Sequence, residues 1–168
     1  MSLMTKLGAA VGIGNCELQV GLAALQHFRD EPFQGTVRLT GGTTSQEIKM
    51  LTVDLVEWWV RGSGKSRSSY SRNHGRVTVA EDIHLRPGEV LEYNCEHHLP
   101  VNARCSRRRD GWSVHAEAHI QWAVDARAQA HLKVLPAKEV IAVHRAVRDS
   151  LSLTQVSWNG ENEAVFYD

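Results

Sequence analysis

Two groups of side chains carry residue types that could do chemistry. The first is His115-Ala-Glu117-Ala-His119, where imidazole and carboxylate donors suit a divalent metal ion. The order is not the helical HExxH arrangement, because the acid stands midway between the histidines. The stretch also alternates with period two. On a strand, positions four apart are roughly 13 Å apart. One zinc ion, with bonds of about 2 Å, cannot take both histidines. Glu117 with one flanking histidine offers two ligands at most, so the expectation is a solvated polar face and no metal. The second group is Cys95, His97, His98 and Cys105, which has neither CxxC nor HxxxH spacing. Cys95 falls on an inward register, where a free thiol packs as a small hydrophobe. His97 and His98, at a strand end beside Pro100, are expected to reach solvent.

Nucleophilic chemistry has less support. The serines between Ser63 and Ser71 sit in a segment that reads as a mobile loop, and there is no GxSxG elbow. Gly12-Ile13-Gly14 and Gly41-Gly42 fit turns rather than phosphate loops, since neither GxGxxG nor GKS/GKT follows. No catalytic residue and no cofactor is assigned. Charge placement is more informative. Arg61, Lys65, Arg67, Arg72 and Arg76 lie in a stretch with no acidic residue, and Arg104, Arg107, Arg108 and Arg109 form a second basic group. If the two meet in space, they suit an acidic partner, a phosphate or RNA. If they stay apart, they are two solvated hairpin tips.

The elements that position these groups read mainly as strands. From Trp112 to Trp122 every second residue is apolar (Trp112, Val114, Ala116, Ala118, Ile120, Trp122), which predicts a central strand with both tryptophans facing a core. Cys16–Val20, Gly35–Thr40, Ile48–Val60, Val77–Val79, Val90–Leu99 and Ala128–Val134 alternate in the same way. Trp58 and Trp59 fall on opposite faces, so one of them is expected to be exposed. Arg61–Gly75 reads as a long polar hairpin or irregular edge, and Arg86-Pro87-Gly88-Glu89 as a turn. Thr5–Val11 predicts one or two helical turns, and Leu22–Phe28 a further helix. Val140, Val143, His144, Val147 and Leu151 recur at three and four, an amphipathic helix. Asn159-Gly160 marks a hairpin in the tail. The result is an all-β sandwich of about seven strands with a short N-terminal helix and one amphipathic helix near the C-terminus. The expected division is a sandwich domain over 1–135, then the helix and tail over 136–168.

The totals bound the function. The 168 residues are 42% hydrophobic with a formal net charge of +0, which suits one globular core and gives no global attraction to nucleic acid or an anionic membrane. Three cysteines without paired spacing fit a reducing compartment. There is no apolar run near the roughly 20 residues that span a bilayer, and no export signal is expected. The expected location is cytoplasmic.

The order of several motifs resembles the bacterial sporulation-control protein family. Lys6-Leu7-Gly8-Ala9-Ala10-Val11-Gly12-Ile13-Gly14 is similar to its opening. Gly41-Gly42 with Gln46-Glu47-Ile48, Pro87-Gly88-Glu89, then His115, Ile120, Ala123, Val124 and Asp125, and Val134 with Pro136 follow in the family's order. The likeness runs from Met4 to about Leu151. Ala126, Ala128 and Ala130 stand where the family carries a proline and acids, and His119 where it tends to carry an acid. The family's members are longer, with a second lobe, so this chain reads as one lobe with the start of another, or as a shortened relative. The resemblance implies an arrestin-like fold and a non-enzymatic regulator that acts through protein partners. It supplies no catalytic residues.

The expected contact residues are Trp58, Trp59, Arg61, Lys65, Arg67, Arg72, Arg76, Lys138, Arg145 and Arg148. A homodimer through an open strand edge also fits. The alternatives are a metal-dependent enzyme using His115, Glu117, His97 or His98, and a nucleic-acid binder through the basic loops.

Overall fold

The computed structural model describes residues 10–11, 16–29, 31–151, 155–157 and 165–167. The strands in chain order are β1 (Ala10–Val11), β2 (Cys16–Leu22), β3 (Gln26–Phe28), β4 (Phe33–Gly41), β5 (Gln46–Arg61), β6 (Ser68–Leu85), β7 (Val90–His97), β8 (Asp110–Ile120) and β9 (Ala126–Leu135). Helix α1 (Lys138–Ser150) and the antiparallel pair β10 (Gln155–Ser157) and β11 (Val165–Tyr167) follow. The chain divides into two compact units, residues 1–135 and 136–168.

The first unit is a two-sheet sandwich. One sheet runs β1-β9-β8-β5-β6, with β3 added parallel to β9, and the other runs β2-β4-β7. Leu18, Val20, Val37 and Leu39 from the smaller sheet share one core with Val53, Val114, Leu132 and Val134 from the larger. The inner face of β8 and β9 is rich in alanine (Ala116, Ala118, Ala126, Ala128 and Ala130), all buried in that core. Burying each larger aliphatic side chain stabilises the fold by about 1.5–3 kcal/mol. β8 lies in the middle of the large sheet, as its alternation predicts, and Trp112 is 1% exposed.

Several expectations change. β8 ends at Ile120, and Trp122 is 96% exposed with φ of 62°. The chain turns there instead of continuing, held by the Ile120 N–H donating to Asp125 Oδ1 at 3.1 Å. Apolar alternation alone cannot see a turn closed by a side chain five residues on. The helix expected over Leu22–Phe28 is absent. Gln26–Phe28 instead pairs with Lys133–Leu135, on the edge of β9 opposite the one where Ser106 takes the Val134 backbone groups. Backbone groups on that edge need partners, and this segment supplies them: the Lys133 N–H donates to the Leu25 carbonyl and the Arg29 N–H to the Leu135 carbonyl. Of the expected N-terminal helical turns, Ala10–Val11 is a strand paired with β9, and Thr5–Ala9 lies outside the described residues. The segment after Arg61 is a long hairpin, one of the two forms expected, and its serines lie in that hairpin and not in a mobile loop. A short 3-10 turn at Gly64–Ser66 leads directly into β6. The tail hairpin expected at Asn159-Gly160 lies outside the described residues.

β5 contains a register shift against β8 between Ile48 and Met50, which moves the inward phase from Ile48 to Leu51, Val53 and Leu55. β6 is the outermost strand of the path on this side, and its pairing with β5 shifts twice, at Leu51/Thr52 and Leu55/Val56. Such irregularities blunt a free edge against pairing with another chain. The turn at Arg86–Glu89 forms as its residues predict. Gly88 has φ of 70°, and the Arg86 N–H is capped by Glu89 Oε2 at 2.8 Å. Gly41 belongs to this corner too, because a Cβ there would stand 2.0 Å from the Arg86 carbonyl oxygen.

Candidate functional site

Buried Trp112 sets up one end of the large sheet. Its indole Nε1 donates to the Arg104 carbonyl at 2.8 Å, which fixes the backbone of the second basic group. The Arg104 side chain then reaches toward β5, where its Nε stands 3.7 Å from Glu57 Oε1. Glu57 is buried and is held from its other oxygen by His74 Nε2 at 2.9 Å. Both the Arg104 and Arg72 guanidiniums lie 5.9 Å from the Trp59 ring centroid. Tyr70, the cross-strand partner of Trp59, stacks on it at 5.9 Å and 14°. Arg109 Nη1 donates to the Gly62 carbonyl at 3.2 Å. The two basic groups therefore meet, and they are not separate hairpin tips. Arg61, Lys65 and Arg67 are exposed around the same turn.

The remaining candidates go elsewhere. Trp58 and Trp59 occupy opposite faces, but neither is fully exposed; both are half-buried. Trp58 packs edge-on to His131 at 6.4 Å and lies directly over Gly111. Arg76 leaves the basic end and forms a two-point ion pair with Asp54, Nε to Oδ1 at 2.9 Å and Nη2 to Oδ2 at 2.8 Å. That pairing, more than any other cause, holds the Asp54 carboxyl below its ordinary range. In the second unit, Arg145 is exposed, while Arg148 pairs with Asp149 at 2.9 Å and Lys138 opens the helix. The apolar stripe of α1, with Val140, Val143 and Val147, is exposed, and the helix buries no residue.

The outer face of the large sheet carries the polar residues of β8. A depression of about 410 Å³ is lined by Asp54, His115, Glu117, Arg127 and Gln129. His115 Nε2 is hydrogen-bonded to Ser113 Oγ at 2.8 Å, and burial pushes the imidazole's pKa down. Ser113 is 2% exposed and Asp54 is committed to Arg76, so this serine and histidine make a structural bond. His97 does not reach solvent as expected. It is 4% exposed and stacks on Phe33 at 5.4 Å, and burial lowers its pKa. His98 is exposed beside Glu96. Cys95 is buried, and its thiol is pushed up to about 11 by desolvation. His97 and His98 belong to the smaller sheet's β7 end and do not join Glu117. Among the described residues, the group whose donors converge on one point is Glu117, His119 and Asp125, with one donor atom from each inside 4.8 Å. Asp125 was not among the expected ligands. It follows the strand in sequence, and only the turn at Trp122 brings it back.

The family model of the SpoOM proteins matches residues 4–164. The chain belongs to the SpoOM protein family. It is similar to the sporulation-control protein spo0M of Bacillus subtilis (strain 168), with 25% identity over 126 residues. That alignment covers 74% of this chain and 48% of the relative. The crystal structure of Spo0M from Bacillus subtilis superposes with a TM-score of 0.72 at 20% identity, covering 86% of this chain and 58% of that one. This SpoOM chain therefore has the all-β, arrestin-like sandwich of that structure, and it spans about half the length of the curated relative. Among the described residues, no helix is long and apolar enough to cross a membrane.

Proposed function

We propose that this SpoOM chain is a non-enzymatic regulator that captures an acidic segment of a partner protein on the surface built by Trp59, Tyr70, Arg72 and Arg104. The observation that carries this reading is the placement of two guanidiniums at 5.9 Å from one half-buried tryptophan. A guanidinium beside an aromatic ring can still hydrogen-bond a carboxylate, Arg72 with its whole fork and Arg104 with the groups beyond the Nε that faces Glu57, while the rings offer apolar contact beside them. Arg61, Lys65 and Arg67 extend the positive field around the turn. A regulatory role agrees with the name of the Bacillus subtilis relative, a sporulation-control protein.

The test is fluorescence anisotropy with a labelled peptide of alternating glutamate and leucine, and with single-stranded DNA as a comparator. Each charge-assisted hydrogen bond contributes about 1.5–3 kcal/mol. Loss of both guanidiniums in Arg72→Ser/Arg104→Ser is therefore expected to weaken peptide binding at least about ten-fold. Unchanged peptide affinity in that variant removes the surface from the account. Tighter DNA binding with a steep salt dependence favours the nucleic-acid reading instead.

A further inference from the structure

We propose that Glu117, His119 and Asp125 form a binding site for a divalent transition-metal ion of the zinc class. Glu117 and His119 are two apart on the outer face of β8, so their side chains lie side by side. Asp125 arrives from the far side of the turn that the left-handed Trp122 allows. His119 is thereby flanked by carboxylates at both ring nitrogens: Asp125 Oδ2 at 3.2 Å from Nδ1 and Glu117 Oε2 at 3.8 Å from Nε2.

Three observations favour a cation over a simple string of ion pairs. First, each carboxylate is anchored through one oxygen and turns the other toward the histidine. Arg127 Nε holds Glu117 Oε1 at 2.6 Å, and the Ile120 N–H holds Asp125 Oδ1 at 3.1 Å. Outer partners of this kind orient metal ligands. Second, His119 Nε2 is a buried atom with no hydrogen-bond partner. The 3.8 Å to Glu117 is too long for a hydrogen bond. A metal ion at that nitrogen takes the Glu117 oxygen as its second ligand and, when Asp125 Oδ2 gives up its hydrogen bond to Nδ1 on the other side of the ring, that oxygen as its third. Third, ligand atoms at about 2.1 Å from one ion stand roughly 3–4 Å apart. The donor atoms here lie within 4.8 Å of one another, and modest rotation of exposed-side carboxylates closes that span. One imidazole with two carboxylates suits zinc, cobalt or manganese better than magnesium or calcium, which prefer oxygen donors throughout. Arg127 offsets one of the two negative charges, which favours a site that exchanges its ion over one that traps it.

The experiment uses the full chain, stripped with EDTA, and titrates it with Zn²⁺ by calorimetry and with Co²⁺ by its visible absorption. One ion per chain is expected, with a rise in melting temperature on Zn²⁺ addition. His119→Gln and Asp125→Asn are each expected to weaken Zn²⁺ binding by about ten-fold or more and to remove the melting shift. His115→Gln, on the same face but bonded to Ser113, is expected to keep both. If either ligand variant fails to fold without metal, as judged by circular dichroism, Glu117→Gln takes its place. Binding that is absent from the parent chain, survives in the ligand variants, or is lost in His115→Gln overturns the proposal.

Discussion

Gly111→Ala is the sharpest probe of how the basic end of the sheet is built. Gly111 is the cross-strand partner of Trp58, and the indole lies over it. A Cβ at Gly111 would stand 2.6 Å from Trp58 Cζ2, 2.9 Å from Cε2 and 3.1 Å from Nε1. Carbon atoms in ordinary contact are about 3.5–4.0 Å apart, so the ring must retreat by roughly 1 Å. Overpacking of this size costs about 1–3 kcal/mol. Gly111 is not among the positive-φ glycines, so alanine fits its backbone and recovers about 0.5–1 kcal/mol of strand preference. The net expectation is a destabilisation of roughly 0.5–2 kcal/mol in the parent chain. In a Trp58→Ala background the clash is gone, and the same substitution should become stabilising by about 0.5–1 kcal/mol. The double-mutant coupling should therefore equal the strain, about 1–3 kcal/mol. Urea denaturation followed by circular dichroism measures all four corners of the cycle. An equal cost of Gly111→Ala in both backgrounds would refute the argument that the Trp58 ring dictates glycine here.

Two further outcomes follow from buried and paired ionisable groups. The Asp54 carboxyl is held low by its hydrogen bonds to Arg76, so its contribution is present above the unfolded carboxyl value of about 3.9 and is lost as pH falls through the lower folded value. Asp54→Asn should flatten that acid limb of a stability–pH profile, and an unchanged limb would show that other carboxyls govern it. Cys95 and Cys16 are both raised by desolvation, Cys95 to about 11, while Cys105 is only partly buried. A thiol reagent at pH 7 should label Cys105 in the folded chain and reach the other two only on denaturation. Labelling of Cys95 at the rate of Cys105 would mean that the β4–β7 sheet opens readily.

The sandwich was legible because both sheets bury one face, and burial of one face writes itself as alternation. Cys16–Leu22, Phe33–Gly41 and Ala126–Leu135 extend what the pattern predicts by a residue or two at their ends. What alternation cannot carry is the closure of a turn by a distant side chain, which is why Trp122 read as core. It also cannot say where an unpaired backbone edge will recruit a segment, which made β3 read as helix. His97 was misread because proximity to Pro100 suggested an open strand end, whereas Phe33 from the neighbouring strand covers it. At the basic end the residue types were visible, but the meeting of Arg72 with Arg104 depends on Trp112 fixing a loop eight residues before it. Within the polar stretch, His115 is bonded to Ser113 and stands apart from the Glu117–His119 pair. The third donor beside that pair, Asp125, comes from beyond the turn, where no spacing rule looks for it.

β8 links the two ends described above. Asp110 pairs with Trp59 at one end, and His119 pairs with Met50 near the other. Nine residues of extended chain separate them by about 30 Å. Substitutions that far apart, with no shared partner, have additive effects on free energy. Sequence drift at Arg72 or Arg104 should therefore show no epistasis with drift at His119 or Asp125. With the two proposed sites at its ends, one rigid strand would let a lineage retune partner capture and ion binding in separate steps, neither constraining the other's mutational path.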